Sequence, residues 1–538
     1  MIFKSKKIET ERLKALFGKV KDDYYDFEKV EAYFRNKDNS KAFQVISDKT
    51  CNDMDFDELF MYLDRTNSKV GQQYLYSKLR TIPSKSEDVE LSEEIIKELS
   101  GNLNFRLKVQ RLLEKLKMND AYYITSLFQE EHLKTPKWFP LIKLLSLASF
   151  TSLLLIPFFP GTMLVLIGIF IINMGIHYWN KKNLFKYSNS IPQLLRLNKV
   201  AGELYKNKLL QKIDNSVPES ITVINQIKNR MSFFQLEAMF LGDLEIVFWT
   251  ILELLKTLFL LDPLLLFGVL KRLNTKREEI ENVFSFVGQV DSLFSIASLR
   301  DGQDSYCVPK INTENSNISS SEIYHPLIYK CTKNSINISD KSILLTGSNM
   351  SGKTSFIRTI GVNVLTGLTI NTCFANSISI PKTKIFSAIR INDDLMNDKS
   401  YYFEEVLTIK EMLKESNNDK MNLFLLDEIF KGTNTVERIS AGKAVLSELS
   451  GNNNTVLVST HDIELTDLLF DEYELYHFSG IVEDKTVNFD YRLKAGKLKN
   501  RNAIRILQIN DYPESVINEA LEISEKLDKI TMTDTVYT

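Results

Sequence analysis

Two kinds of hydrophobic pattern divide this chain. Up to about residue 300 apolar residues recur mostly at helical spacing, and beyond it short unbroken apolar runs read as buried strands. In Asp55–Pro83, Phe56, Leu59, Phe60 and Leu63, then Val70, Leu75 and Leu79, predict two helices divided by Asp64-Arg65-Thr66-Asn67. Arg272–Arg300 repeats the pattern with Phe284, Phe286, Val287, Val290, Leu293, Phe294 and Leu299. Phe233–Leu270 is more apolar still. Asp243, Glu245, Glu253, Lys256 and Asp262 punctuate it, and ionisable groups at that density are expensive in lipid, so core helices are expected there. Residues 1–40 are charged and aromatic with a loose helical period, which suits a docking helix better than a domain. The Asn- and Ser-rich stretch Asn312–Ser321 reads as a linker.

Leu144–Asn180 stands apart, with 37 residues and no Asp, Glu, Lys or Arg. A single bilayer crossing needs only about 20. Pro157, Pro160 and Gly161 interrupt the run, predicting two helices, roughly Phe139–Phe159 and Thr162–Trp179, joined by a tight turn. Trp138 and Trp179 sit at the outer ends like interfacial anchors, and Lys134, Lys137 and Lys143 on one side match Lys181, Lys182 and Lys186 on the other. Two basic flanks fit a transmembrane helical hairpin, residues 139–179, with both ends on the cytoplasmic face of a membrane. The second arm is short for the hydrocarbon thickness, so shallow insertion is also open. The alternative is a hairpin buried in a soluble cytoplasmic bundle.

In the second half, the run Ser342–Thr346 ends at Gly347, four residues follow, and Gly352-Lys353-Thr354 opens a helical pattern of Phe356, Ile357, Ile360, Val364 and Leu365. Strand, glycine-rich loop and helix in this order aim successive backbone N–H groups at an anionic polyphosphate. Gly347, Ser348, Asn349, Met350, Ser351, Gly352, Lys353, Thr354 and Ser355 are therefore the candidate cradle. Lys353 would neutralise the β/γ-phosphates, and the Thr354 hydroxyl would bind Mg²⁺. Asn422–Leu426 reads as a buried strand ending in Asp427, suited to the metal, and Glu428, suited to polarising the attacking water. Thr455–Ser459 is a second such strand, ending in Thr460-His461, where His461 could sense the γ-phosphate. Three strand-end polar sites in this order point to ATP with Mg²⁺.

Length and composition add bounds. A chain of 538 residues exceeds one core, so several domains are expected. Lys plus Arg (67) and Asp plus Glu (69) nearly cancel, which leaves no global field for nucleic acid; any such contact must be local. Lys497, Lys499, Arg501 and Arg505 form one small basic cluster, read first as a solvated face. Cys51, Cys307, Cys331 and Cys373 are scattered, which argues against zinc or a disulfide framework and for a reducing compartment. The N-terminus lacks the apolar core of a secretory signal.

The stretches TGSNMSGKT, DEIFKGTNT and STHDIELTDL together resemble the ATPase domain of the MutS family of DNA mismatch-repair proteins, relatives of ABC-type ATPases. Asn349 and Met350 inside the loop are specific to that likeness. Asp64–Pro83 resembles the start of the family's core and lever region, Val290–Ser298 its last lever helix, and Asp511–Leu527 its closing helical segment. The resemblance implies a multidomain fold in which an α-helical lever and core region accompanies an α/β P-loop ATPase domain. Along the chain this gives an N-terminal segment (1–40), lever helices (41–135), hairpin (136–182), further lever helices (183–310), ATPase domain (311–510) and closing helices (511–538).

Carried over by position, the resemblance assigns catalysis to Glu428, His461 and Lys353, and the metal to Thr354 and Asp427. Ser400 matches the family's signature serine, with Glu405 at its acidic position, and Tyr491 falls where a residue stacks on adenine. Cys331 occupies the nearest position for an opposing stacker, with Tyr329 close by. Because one chain carries one loop and one signature, the resemblance implies a homodimer with two composite ATP sites. It implies as well that mismatch-reading, connector and nuclease modules are missing. Phe56-Asp57-Glu58 spells F-x-E, a pattern tied to wedging beside mispaired bases, but Phe56 lies on an apolar stripe and reads as core. Two functions follow: a DNA-associated ATPase with double-stranded DNA as partner, or a membrane-anchored switch acting on a protein or lipid partner.

Overall fold

The structure is a computed structural model describing residues 2–85, 88–240, 246–348, 350–390, 401–483, 486–498, 504, 507, 508, 510 and 512–534. Asp243, Glu245, Asn349, Ser400, Lys499, Arg501 and Arg505 lie outside the described residues. The chain forms two compact units: Met1–Lys41, Leu63–Arg80 and Lys85–Gly302 in one, Ala42–Tyr62, Thr81–Ser84 and Gln303–Thr538 in the other. The first is helical and the second mixed α/β, so the protein is multidomain.

The helical unit is built on helix Arg277–Asp301, which is buried along nearly all of its last three turns. Helix Lys69–Arg80 packs on it at two points of close approach. A Cβ on Gly288 would lie 2.6 Å from Tyr74, and one on Gly71 would lie 2.2 Å from the Asp291 carboxylate. Asp291, itself fully buried, accepts hydrogen bonds from the Asn67 N–H (2.9 Å), the Ser68 N–H (2.8 Å) and the Ser68 hydroxyl (2.5 Å). It thus caps the N-terminus of helix Lys69–Arg80 from another helix. Burial raises its carboxyl to about 6 against the opposing pull of those donors. Two stretches linked only by family likeness in the sequence, Asp64–Pro83 and Val290–Ser298, are therefore joined by hydrogen bonds.

The hairpin belongs to this unit. Its first arm is helix Phe139–Leu155, and its second begins at Thr162. The second arm does not end near Trp179 as its composition suggests. The helix runs on to Leu204, 43 residues in all and roughly 65 Å long. Beyond Trp179 the pattern changes from uniformly apolar to amphipathic, with Leu194, Leu197, Val200 and Leu204 buried in the unit's core. Pro192 is carried inside the helix. The outer face of the hairpin is bare: Leu154, Phe158, Phe159 and Leu164 are more than half exposed. By length and composition Thr162–Lys181 could cross a membrane, and most of that stretch is not buried.

In the α/β unit six strands form one sheet: β1 (Ser342–Gly347), β2 (Lys384–Ala388), β3 (Asn422–Asp427), β4 (Asn454–Ser459), β5 (Tyr473–Phe478) and β6 (Lys494–Ala495). Their order is β6-β5-β1-β4-β3-β2, parallel except for β6. Strands β1 and β4 are buried at every position, as expected where helices cover both faces. On one face Phe424 and Leu426 pack with Ile409, Met412 and Leu446 from helices Tyr401–Ser416 and Thr435–Leu449. On the other, Leu425 lies against Gly361 of helix Lys353–Ile370, too close for any side chain there. Ala42–Tyr62 joins this unit through buried Asp53, which accepts from the Ser387 hydroxyl (2.6 Å) and the N–H groups of Ile389 and Arg390 (3.1 and 2.8 Å). A four-stranded sheet of Lys310–Asn312, Ser377–Pro381, Ile318–Ile323 and Asn334–Ile338, in that order, stands beside it.

Candidate nucleotide site

Parallel pairing fixes which residues share the sheet's C-terminal edge. Ser459 pairs with Asp427 and with Leu345, and Phe478 with Gly347, so four strand ends meet at one edge. The crevice outside the carboxyl ends of parallel strands is where open α/β sheets bind ligands. Between β1 and helix Lys353–Ile370 the loop needs its two glycines. Gly347 has φ +154°, and a Cβ would lie 2.7 Å from the Ser351 hydroxyl and 2.8 Å from the Phe478 carbonyl. Gly352 has φ +104°.

Lys353 is buried, and its ammonium donates to the Gly347 carbonyl (2.8 Å) and the Ser348 carbonyl (3.1 Å), with His461 Nε2 at 3.4 Å. Burial lowers its pKa, while Glu428 and Asp427 oppose that. Thr354 Oγ1 donates to Asp427 Oδ2 at 2.7 Å, and the Ser459 hydroxyl is bonded to Asp427 Oδ1. Glu428 sits in the left-handed region (φ +51°). Its Oε1 lies 2.8 Å from His461 Nε2 and its Oε2 2.6 Å from Lys431 Nζ. Burial alone would raise this carboxyl, but the hydrogen bonds from His461 and Lys431 outweigh it and hold it at about 2. Glu428 is therefore ionised throughout the physiological range. Phe430, also left-handed at φ +60°, donates its N–H to buried Glu405 Oε1 (2.7 Å), which pins the loop carrying Glu428 to helix Tyr401–Ser416.

A cleft of about 520 Å³ opens over the loop. Its walls include Ser348, Met350, Ser351, Gly352, Lys353, Thr354, Ser355, Glu428 and Tyr491, together with Tyr329 and Cys331. The Tyr491 ring lies over Gly352, where a Cβ would be 3.2 Å from its edge. Asn334 holds that segment from both sides, donating to the Tyr491 carbonyl (3.0 Å) and accepting from the Leu493 N–H (2.8 Å). His461 opens instead onto a neighbouring cleft with Thr346, Gly347 and Asp462, and touches the first through Glu428. Asp462 is fixed by a two-pronged ion pair with Arg438 (2.9 and 2.6 Å).

Gly347, Ser348, Met350–Ser355, Asp427, Glu428, His461 and Tyr491 thus line two neighbouring clefts at this edge or contact residues that do. Asn349 and Ser400 lie outside the described residues. Sequence reasoning passed over Ser459, Lys431 and Asn334. Ser459 could have been found one residue before Thr460-His461, and Lys431 three residues after Glu428; Asn334 stands 157 residues from Tyr491 and leaves no local signal.

The donors suit a magnesium nucleotide. Among the described residues no group of three or more His, Cys, Asp or Glu side chains could hold a metal alone. One carboxylate and one hydroxyl, Asp427 and Thr354, in direct contact are hard oxygen ligands of the kind Mg²⁺ uses together with phosphates and water. Among the described residues the buried Ser351 hydroxyl has no hydrogen-bond partner, as a ligand-facing group would not.

A glycine-rich loop between a buried parallel strand and a helix, with carboxylates at the next strand end, is the architecture of phosphate-binding α/β proteins. Residues 343–528 match the family model described as MutS domain V. The chain is 30% identical over 261 residues to the DNA mismatch repair protein MutS of Aquifex pyrophilus, covering 47% of this chain and 30% of that protein. It is 27% identical over 268 residues to the MutS protein of Listeria monocytogenes (47% and 30%), and 27% over 276 residues to the DNA mismatch repair protein MSH3 of Kluyveromyces lactis (48% and 26%). Over residues 343–528 the chain is thus similar to the domain V of MutS proteins. Its matched segment spans less than a third of the length of these relatives.

If Asn334 positions Tyr491 as a platform for the base, Asn334→Ala should weaken ATP binding about tenfold, the effect of losing two hydrogen bonds worth about 0.5–1.5 kcal/mol each. Titration with a fluorescent ATP analogue reads this directly. Unchanged affinity would remove the Tyr491 segment from the site.

Proposed function

We propose that this protein is a Mg²⁺-dependent ATPase of the mismatch-repair type, working as a homodimer in which nucleotide state moves the lever helices. The observation that carries the reading is the strand-end cluster, with Thr354 Oγ1 2.7 Å from Asp427 Oδ2 and an ionised Glu428 at the next position. Lys353 and the loop N–H groups would bind the β- and γ-phosphates, and Lys353 would exchange the two loop carbonyls it now contacts for charged oxygens. Thr354 and Asp427 would hold the metal, which when bound supplies charge neutralisation at the phosphates. Glu428 would orient and polarise the attacking water, and His461, hydrogen-bonded to it, would couple that carboxylate to the γ-phosphate. Tyr491 would stack on adenine. Ser400 of one subunit would complete the site on its twin, giving two composite sites related by two-fold symmetry.

The relatives' names give the inferred partner, double-stranded DNA. A second reading rests on the bare apolar hairpin: attachment to the cytoplasmic face of a membrane through residues 139–179, in a switch acting on a protein or lipid partner. Lys134, Lys137 and Lys143 before the hairpin and Lys181 after it favour that side.

Two measurements test the function. Glu428→Gln should keep ATP binding and slow hydrolysis by roughly 10²–10⁴-fold, the usual contribution of a positioned base, whereas Lys353→Ala should lose binding itself. Turnover by the glutamine variant at the parental rate would remove Glu428 from the chemistry. The purified dimer should also bind double-stranded DNA with an affinity that falls more than tenfold between about 50 and 200 mM salt, as counterion release requires. Absent or salt-indifferent binding would leave the membrane switch as the better reading.

A further inference from the structure

The hairpin carries more information than its hydropathy. Between Ser152 and Asn173 none of the residues is buried. From Asn173 onwards the surroundings change. A second helix pair, Ile246–Phe259 and Leu261–Leu273, turns at buried Leu260 (φ +49°) and reaches only this height. The Phe259 ring meets Phe150 at 6.3 Å, and Asn173 donates to the Leu258 carbonyl at 2.7 Å and to the Ser149 hydroxyl at 3.1 Å. One turn further from the tip lies an ionic cluster. His177 sits 3.2 Å from Glu253 and 3.8 Å from Asp262, while Lys256 sits 3.5 and 3.9 Å from the same two carboxylates. Trp138 and Trp179 meet just beyond, with ring centroids 4.9 Å apart.

These heights can be compared with a bilayer. From Thr162 to Asn173 is eleven steps of a helix, roughly 16 Å. Half of a hydrocarbon core of about 30 Å is about 15 Å. Lowering the tip to the midplane therefore brings Asn173 to the edge of the hydrocarbon and the ionic cluster to the outer part of the headgroup band, with the tryptophan pair just outside it. Pushing it through to the far surface would drag the cluster, about 22 Å from Thr162, into hydrocarbon, where ionisable side chains are costly.

The turn itself is built to stay in lipid. Ile156-Pro157-Phe158-Phe159-Pro160-Gly161 offers no polar side chain to water on an opposite face. Its two prolines have no N–H. The N–H groups of Phe158 and Phe159 donate to the Leu155 carbonyl (3.0 and 2.8 Å), that of Thr162 donates to Phe159 (3.0 Å), and the Thr162 hydroxyl donates to the same Phe159 carbonyl (2.7 Å). The Thr151 hydroxyl bonds back to the carbonyls of Leu147 and Ala148 (3.0 and 3.1 Å). Internal satisfaction of this kind is what hydrocarbon demands and water does not. Lys134, Lys137, Lys143 and Lys181 are exposed around the base, complementary to acidic headgroups.

We propose that the hairpin enters a single leaflet of an anionic phospholipid membrane, its Phe158–Phe159 tip at the midplane, and does not span. This deepens the membrane reading above and rests on it. The full chain and vesicles of phosphatidylcholine with phosphatidylglycerol provide the test. Flotation with the vesicles reports attachment, and failure to float would end the membrane reading altogether, as would a hairpin covered by a second copy. Depth is read separately, with an environment-sensitive fluorophore on Phe159→Cys and, as a second tip position, Leu164→Cys; the unsubstituted protein gives the background from the native cysteines. Both side chains are exposed, so neither change disturbs packing. Quenching should be several-fold stronger from lipids brominated near the acyl-chain ends than from lipids brominated near the headgroup, and a quencher sealed in the vesicle lumen should have no effect. Floating protein whose tip label is quenched from the lumen would mean that the hairpin spans. Stronger quenching from the headgroup-brominated lipid would mean that it lies on the surface. Either result overturns single-leaflet entry while leaving attachment intact.

Discussion

The hydrogen bond from Thr354 to Asp427 joins the start of a helix to the end of a strand 73 residues later, and the candidate site depends on it. It exists because β1 and β3 flank β4 in a parallel sheet, so their C-terminal ends lie on the same edge, one strand apart. Register then decides the rest. Pairing of Ser459 with Asp427 sets a hydroxyl against the carboxylate and carries the next turn of chain, with His461, to Glu428. Two residues in the left-handed region, Glu428 and Phe430, hold the loop after β3, and Glu405 secures it from a neighbouring helix. Backbone strain of this kind survives only where its surroundings over-determine it, and it clusters at functional sites.

The helical unit has its own organising contact. Asp291 caps a helix from which it is distant in sequence, and two glycines, Gly71 and Gly288, allow the two backbones to approach. A buried carboxyl with its pKa raised to about 6 is a costly way to join helices if only stability matters. It does fix which turn of one helix meets which turn of the other. The same unit carries the long helix Thr162–Leu204, whose exposed apolar end and buried amphipathic end form one rod. Whatever the hairpin contacts is thereby mechanically continuous with the core of this unit.

Much of the α/β unit was legible because its signals are local. A buried strand, two glycines at fixed spacing and Lys353-Thr354 fall within a dozen residues, and each strand-end polar group follows directly on an apolar run. Harder to see were contacts made across long separations. Asn334 reaches Tyr491 over 157 residues, and nothing near either position marks the pair. The pairing of Glu428 with Lys431 is only three residues apart, but it depends on the left-handed backbone between them, which composition does not announce. The second arm of the hairpin was cut short at Trp179 because hydropathy falls there. The chain nevertheless goes on in the same helix, through Ser188-Asn189-Ser190 and Pro192, because its later turns are amphipathic and pack in the core, where tertiary packing overrides local propensity. The coordinated height of the turn, the ionic cluster and the tryptophan pair is a property of three dimensions, although each part could be read along the chain.

The central claim is that the edge formed by the Lys353 loop, Thr354 and Asp427 holds a magnesium nucleotide. Calorimetric titration of ATP into the unsubstituted full chain, with Mg²⁺ and then with the metal chelated, tests it most directly. Saturable binding at one site per chain, markedly tighter when Mg²⁺ is present, is the expected result. Absence of saturable binding under both conditions, or an affinity indifferent to the metal, would contradict it.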